Sequence, residues 1–214
     1  MLVEACVDSV ESALAAKRGG ARRLELCSNL DVGGTTPGVA LIDEVQARTG
    51  LPVMAMIRPR GGSFVHTDAE CDQMRRDIDV ARRANVAGVV LGVLRDDDRV
   101  DVERTRALVE HAAGTPVTFH MAFDRTPNQR MALEEVIDAG VTRVLTSGGA
   151  PTAIEGADAL AALVAQAGER IVILAGKKVR GDNVKELVRR SGVREVHARS
   201  LADESQIRAV VDAL

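Results

Sequence analysis

The chain has 214 residues, of which 46% are hydrophobic, and this length and composition predict one domain spanning residues 1–214. The formal net charge of -3, with three Phe and no Tyr or Trp, argues against a nucleic acid partner. Nothing in the sequence resembles a secretion signal or approaches the roughly 20 apolar residues of a membrane span, so we expect a cytoplasmic protein with no membrane partner.

Short runs rich in β-branched residues alternate with longer amphipathic segments along the whole chain, and this alternation predicts eight strand and helix pairs. The predicted strands begin, in chain order, at Leu2, Arg22, Pro52, Ala87, Pro116, Thr142, Arg170 and Arg194. Helix starts are indicated by Asp8 or Ser9, by Asp68 and by Asp101. Helix ends are indicated by Gly19, Gly114, Gly140 and Gly192.

Eight such pairs predict an α/β protein with the (β/α)8 fold of a TIM barrel, and a doubly wound open sheet is the alternative. Several strands carry polar side chains at every second position near their C-terminal ends, as Glu25 with Cys27 and Thr118 with His120 do. In a barrel these side chains share the interior at the end where barrel active sites form, whereas an open sheet would gather them at one crevice. The pattern therefore favours the barrel.

The run PVMAMIRPRGG ends the third predicted strand on two arginines. We expect Glu4 and Glu25, at equivalent positions of neighbouring strands, to share one layer inside the barrel, where two carboxylates need a counter-charge. Arg58 is the predicted counter-charge, which leaves Arg60 free to face a ligand. A buried network of Glu and Arg that fixes strand register is the structural alternative to a catalytic role.

His120 ends the fifth predicted strand, and Asp124 follows four residues later at the same rim. A histidine near a carboxylate can act as a general base or as a metal ligand, and a histidine hydrogen-bonded to its own loop is the alternative. With Glu25, these two residues are the candidate catalytic groups. His197, at the end of the last strand, belongs to the same ring of candidate binding residues.

Glycine-rich turns follow the sixth and seventh strands, in LTSGG and LAGKK. Ser147 and Gly148 in the first turn, and Lys177 in the second, lie where barrels often bind phosphate. Together with Arg58 and Arg60 they predict a basic barrel mouth on an acidic protein. The expected ligand is a small anionic molecule, and no organic cofactor is indicated.

Three cysteines, an odd number, predict free thiols in a reducing compartment. Cys6 and Cys27 lie at equivalent ends of adjacent strands, whose axes run about 5 Å apart. Two thiolates suit Cu(I), and packing as small hydrophobic groups is the alternative. Cys71, in the third helix, lies on the wrong side of the barrel to join them.

Four stretches are long and ordered enough to be specific: EACVDSVESALAAKRGGARRLELCSNLDVGGTTP, IRPRGGSF, VTFHMAFD and RVLTSGG. Together they resemble the CutC family, the copper homeostasis proteins, from about Val3 to His197. The resemblance implies a (β/α)8 barrel, a cytosolic location, a homo-oligomer that we expect to be a homodimer, and Cu(I) ligands at Cys6 and Cys27.

Two departures from the family pattern stand out. Relatives have a turn resembling GAG or GGG after the seventh strand, where this chain has GKK at Gly176 to Lys178. The chain also ends at Leu214, whereas relatives usually continue, so we expect any oligomer contact made by such an extension to be absent.

Two hypotheses follow. The first is a Cu(I)-binding protein of copper homeostasis that uses Cys6 and Cys27. The second is a barrel enzyme, of the isomerase, lyase or aldolase type, that acts on a small phosphorylated or carboxylated metabolite.

Overall fold

The eight predicted strands all form in the computed structural model, which describes residues 1–199 and 203–214. They are parallel and hydrogen-bonded in sequence order, and the first strand also pairs with the last, so that the sheet closes into a barrel. A helix follows each strand. This alternation confirms the predicted (β/α)8 TIM barrel.

The strands are β1 Leu2–Val7, β2 Arg23–Leu26, β3 Val53–Met56, β4 Gly88–Leu91, β5 Val117–Phe119, β6 Arg143–Thr146, β7 Val172–Ala175 and β8 Glu195–Arg199. The α-helices are α1 Val10–Arg18, α2 Val39–Thr49, α3 Asp68–Arg83, α4 Val102–His111, α5 Gln129–Asp138, α6 Ala157–Ala167, α7 Val184–Ser191 and α8 Glu204–Asp212. Two 3₁₀ helices span Leu30–Val32 and Met121–Arg125.

Side-chain caps set the helix starts. Ser9 caps α1, as predicted, and Asp101 caps α4. The cap of α3 is Thr67 rather than Asp68, because Thr67 and Glu70 bond each other's backbone N–H groups in a capping box. Asp68 is therefore the first helical residue.

Two predicted helix ends are displaced by one or two residues. The helices α4 and α5 are capped at Ala112 and Ala139, and the glycines expected to end them, Gly114 and Gly140, follow in the left-handed conformation. These glycines turn the chain towards the next strand instead of closing the helix.

The fifth strand is shorter than the run PVTFHMAF suggests. It ends at Phe119, and the His120 ring accepts a hydrogen bond from the Ala122 N–H, which caps the 3₁₀ helix Met121–Arg125. A side chain that bonds its own backbone in this way competes with the sheet ladder. Residues from His120 onward therefore turn across the top of the barrel.

The apolar core has two parts. The larger one, which includes Leu24, Leu26 and Phe119, packs the strands against the surrounding helices. The smaller cluster consists of Cys6, Cys27, Met54, Met56 and Val90. Both cysteines of the predicted metal site therefore belong to the smaller cluster.

Within the described ranges, no helix has the length and apolar composition needed to cross a lipid bilayer.

Candidate functional site

A cavity of about 1170 Å³ opens at the C-terminal end of the barrel. Its floor includes the cysteines and Glu25, its wall includes Phe64 and His120, and its mouth is formed by the loop after β7 together with α8. Barrel active sites occupy this end of the fold because the loops after the strands converge there. The predicted residues that line the cavity are Cys6, Glu25, Cys27, Arg58, His120, Lys177 and His197.

The two cysteines and Glu25 form the tightest cluster on the cavity floor. One ligand atom from each, the two Sγ atoms and a carboxylate oxygen of Glu25, lie within 4.8 Å of one another. The Cys27 Sγ–H donates to Glu25 Oε2 at 3.8 Å, and Glu25 Oε1 has no hydrogen-bond partner among the described residues. Cys71 is buried elsewhere, in α3.

The carboxylates of Glu4 and Glu25 come together inside the barrel, as expected: one oxygen of each and one ring nitrogen of His197 lie within 4.8 Å of one another. The register of their backbones differs from the expected one. Cys6 lies opposite Glu25, and Glu4 lies opposite Arg23, so Glu4 and Glu25 are offset by two residues rather than level. Cys27 lies just beyond the end of β2. The offset reflects the stagger that closes a sheet into a barrel. This stagger does not follow from the sequences of the two strands.

Glu4 sits in a buried charge network that runs along the barrel interior. Arg23 donates through Nε to Glu4 Oε2 and, at 2.5 Å, through Nη2 to Glu195 Oε2. Arg143 also donates to Glu195, at 2.8 Å. His197 lies between Glu4 and Glu25. Its Nδ1 is 2.9 Å from Glu4 Oε1, and its Nε2 is 3.7 Å from Glu25 Oε2.

This network supplies the counter-charge that we expected from Arg58. Arg23, Arg143 and Glu195 were not among the predicted site residues, although Arg23 has the same parity on β2 as Glu25. That shared parity is the sequence signal that identifies it as an interior residue.

The network shifts the pKa values of its members. Burial acts to raise the pKa of Glu4, but His197 and Arg23 outweigh it and lower the pKa to about 2. Burial acts to lower the pKa of His197, but the Glu25 charge and hydrogen bonds to Cys6 and Glu4 hold it well above its usual value. Burial raises the pKa of Glu25, against the opposing charge of His197. The two carboxylates therefore favour the protonated form of His197.

The thiols are held in their protonated form. The hydrogen bond with Cys27, followed by burial, raises the pKa of Cys6 well above its usual value. At Cys27 the hydrogen bond with Cys6 lowers the pKa, but burial and the Glu25 charge outweigh it and raise the pKa. A metal that binds here must displace these protons.

The guanidinium of Arg58 makes its hydrogen bonds with backbone carbonyls. Nη1 lies within 3.3 Å of the carbonyl oxygens of residues 32–34, and Nη2 donates to Gly62 O at 2.8 Å. The guanidinium also lies over the Phe64 ring, 4.7 Å from its centroid. Arg58 therefore ties two loops to the cavity wall instead of neutralising Glu25.

Arg60 is not free to face a ligand. Its Nε lies 2.5 Å from Glu70 Oε1, and its other nitrogens donate to the carbonyl oxygens of Ser63 and Val65. Hydrogen bonds from the Arg60 side chain and from the Thr67 N–H group lower the pKa of Glu70 to about 2. Arg60 thus belongs to the loop that leads into α3 and does not line the cavity.

His120 is a buried, neutral imidazole on the cavity wall. Burial, followed by the positive charge of Arg58, lowers the pKa of His120 to about 3. Because Nδ1 accepts from the Ala122 N–H at 3.2 Å, the neutral ring carries its proton on Nε2. A Cβ added at Gly92 would lie 2.5 Å from the ring, so this glycine makes room for it.

We expect His120 to make folding strongly pH-dependent. A buried histidine whose pKa is depressed binds more protons when unfolded, so its contribution to stability is complete above the unfolded pKa near 6.5 and is lost as the pH falls towards 3. Between pH 7 and pH 4.5 the wild-type free energy of unfolding should fall by about 2 to 3 kcal/mol more than that of His120→Gln. Urea titrations at both pH values measure this difference, and equal losses would contradict a neutral His120.

The loop after β6, where the sequence predicted a phosphate site, binds the carboxylate of Asp124. Asp124 accepts hydrogen bonds from Thr146 Oγ1 at 2.5 Å, from Ser147 Oγ at 2.7 Å, and from the N–H groups of Ser147 and Gly149. Asp124 is thus held by this loop, and no hydrogen bond to His120 is among its contacts in the described chain. Ser147 is fully buried, and neither it nor Gly148 lines the cavity.

The GKK turn after β7, where this chain departs from the family pattern, lies at the cavity mouth. Lys177 and Lys178 both have positive φ, of 83° and 59°, and both line the cavity. Side chains other than glycine seldom adopt this conformation. The Nζ atom of Lys177 donates a hydrogen bond to Ala150 O at 2.9 Å.

Comparison with known proteins identifies the family. A model described as the CutC family matches residues 1–202. CutC family proteins of Caulobacter vibrioides and Vibrio campbellii are 48% and 46% identical over 197 residues, which cover 92% and 91% of this chain and 80% of each relative. A crystal structure of a protein named copper homeostasis protein CutC, from Streptococcus agalactiae, matches with a TM-score of 0.87 and 35% identity, over 92% of this chain and 97% of that one. The chain therefore belongs to the CutC family.

Proposed function

We propose that this protein binds Cu(I) through Cys6 and Cys27 and serves copper homeostasis. The observation that carries the proposal is the cluster of two buried sulfur atoms and one carboxylate oxygen within 4.8 Å. The copper homeostasis name of the Streptococcus agalactiae relative supports it. The cytoplasmic location and the homodimer expected from the sequence form part of this proposal.

The donor set fits a soft monovalent ion. Thiolates are the ligands that Cu(I) prefers, and the Met54 and Met56 side chains that pack with the cysteines keep the surroundings apolar. Zn²⁺ would require a fourth ligand in a structural site, and both ring nitrogens of the nearby His197 face carboxylates, at 2.9 Å from Glu4 and 3.7 Å from Glu25. Glu25 Oε1, which has no partner, is positioned to accept a proton or to stabilise a bound cation.

Titration of Cu(I) against a competing chelator under reducing conditions tests the proposal. We expect about one ion per wild-type chain, and a stoichiometry near zero for Cys27→Ser, because one thiolate cannot hold the ion against the chelator. Cys71→Ser is the matched control, since this buried cysteine lies outside the cluster. Equal losses in the two variants would contradict the site.

A second candidate function is catalysis on a small phosphorylated or carboxylated metabolite. The cavity volume of about 1170 Å³ favours it, because this volume suits an organic molecule and far exceeds the space that one ion needs. His120 would serve as a hydrogen-bond donor through Nε2, and Glu25 as the acid or base.

A further inference from the structure

The loop after β7 lines the cavity and carries backbone N–H groups that have no hydrogen-bond partner in the described part of the chain. The N–H groups of Lys177, Lys178 and Val179 make no hydrogen bond within residues 1–199 and 203–214. Two of these three donors, those of Lys177 and Lys178, belong to successive residues with positive φ, of 83° and 59°. Such strain costs on the order of 1 to 3 kcal/mol per residue and collects at functional sites.

Charge at this mouth is opposite in sign to that of the whole protein. Lys177, Lys178, Arg180 and Arg199 line the cavity here, and the acidic lining residues are Asp182 and, on the cavity floor, Glu25. All four cationic residues are exposed to solvent, and one of them, Lys177, also donates through Nζ to Ala150 O. The net charge of the chain is -3, which makes this local excess of cations a feature of the mouth.

Part of the remaining cavity lining suits an apolar body. Met56, Phe64, Leu145 and Val179 contribute apolar side chains to its lining. The neighbouring loop after β6, where the sequence predicted an anion site, already holds the carboxylate of Asp124. An incoming anion is therefore directed to the loop after β7.

We propose that the cavity binds a small organic anion, consisting of an apolar body and one phosphate ester or carboxylate group, with that group on the N–H groups of residues 177–179 and the Lys178 and Arg180 side chains. Backbone N–H groups in a concave turn, flanked by cations, form a recognised kind of anion site. This proposal rests on the second candidate function only because each requires an organic molecule in the cavity. The proposal concerns binding alone. A ligand that binds without being converted would therefore contradict the catalytic function and still support the anion site.

Calorimetric titrations with phenyl phosphate, phenylacetate, phenylacetamide and inorganic phosphate test the ligand class. We expect phenyl phosphate and phenylacetate to bind and to raise the melting temperature, because they bind the folded state selectively. The neutral amide and inorganic phosphate should each bind at least about tenfold more weakly than phenyl phosphate, which corresponds to about 1.4 kcal/mol. Equal binding of the amide would contradict the anion site, and equal binding of inorganic phosphate would contradict the apolar wall.

Charge-matched variants test the location. Lys178→Gln keeps a side chain at the same positive φ and removes one cation, so we expect about a tenfold loss of affinity for phenyl phosphate. Lys185→Gln is the control, because Lys185 is exposed on α7 and does not line the cavity. Its affinity should stay within about twofold of wild type.

Equal effects of the two variants would place the anion elsewhere and overturn the proposal, as would the absence of binding by every probe. Lys178→Gln should still bind Cu(I) at the wild-type stoichiometry, because the cysteines lie on the cavity floor. The Cu(I) titration of Lys178→Gln therefore distinguishes loss of anion binding from loss of copper binding.

Discussion

Replacing Arg23 by methionine is expected to lower the free energy of unfolding by about 3 to 5 kcal/mol. The guanidinium lies between Glu4 and Glu195 inside the barrel, and the side chains of Arg23 and Glu4 are only 7% and 2% exposed. Removing the cation leaves two carboxylates without their shared partner in surroundings where charges are poorly solvated. Urea denaturation of the variant at neutral pH measures the loss.

A surface ion pair provides the control for Arg23. Arg48→Met removes an arginine that is 54% exposed and pairs with Glu44 on α2, and its effect should stay below about 1 kcal/mol. The double variant Arg23→Met with Glu4→Gln should lose at least about 1 kcal/mol less than the sum of the two single variants, because the second change removes one of the stranded charges. Additive losses would show that the two side chains do not act as a buried pair.

The fold was predictable because the evidence for it is repeated along the chain. Each strand and helix pair carries its own apolar pattern. A small error at one boundary, such as predicting Asp68 instead of Thr67 as the cap of α3, therefore leaves the topology unchanged. The alternation of polar residues on single strands also predicted which side chains share the interior. Cys6 and Cys27 come together as a result.

The pairing of charges was less predictable because it depends on register and loop geometry. A stagger of two residues between β1 and β2 puts Arg23, and not Glu25, opposite Glu4. Arg58 then has no acid to neutralise, and its long side chain bonds the carbonyl oxygens of nearby loops instead. Neither outcome follows from the spacing of residues within one strand.

The separation of the two candidate sites within one cavity has a physical consequence. Cu(I) would enter a buried cluster of neutral thiols, whereas an organic anion would stay at the cationic mouth. An anion at the mouth would reduce the positive potential there, and with it the repulsion of a copper ion that enters through the mouth. Occupancy of one site can therefore change the rate at which the other fills without any shared ligand.

The second large effect is expected for Asp124→Ala, which should lower the free energy of unfolding by about 3 to 4 kcal/mol. Its carboxylate accepts the Thr146 hydroxyl and the Ser147 hydroxyl and N–H group, and both of these partners are fully buried. The variant leaves the Thr146 hydroxyl and the Ser147 N–H group without their acceptor, whereas the Ser147 hydroxyl keeps Ala150 O at 2.7 Å. Hydrogen bonds to a charged group are each worth about 1.5 to 3 kcal/mol.

Two further measurements separate this role of Asp124 from a general effect of losing an acid. Asp72→Ala, which removes an exposed carboxylate paired with Arg75 on α3, should change stability by less than about 1 kcal/mol. Added formate should raise the melting temperature of Asp124→Ala more than that of the wild type, because the vacated loop then offers the same donors to a free carboxylate. A variant that melts like the wild type, or one that formate does not stabilise, would mean that the loop after β6 does not depend on the Asp124 carboxylate. The anion site would then no longer be directed to the loop after β7.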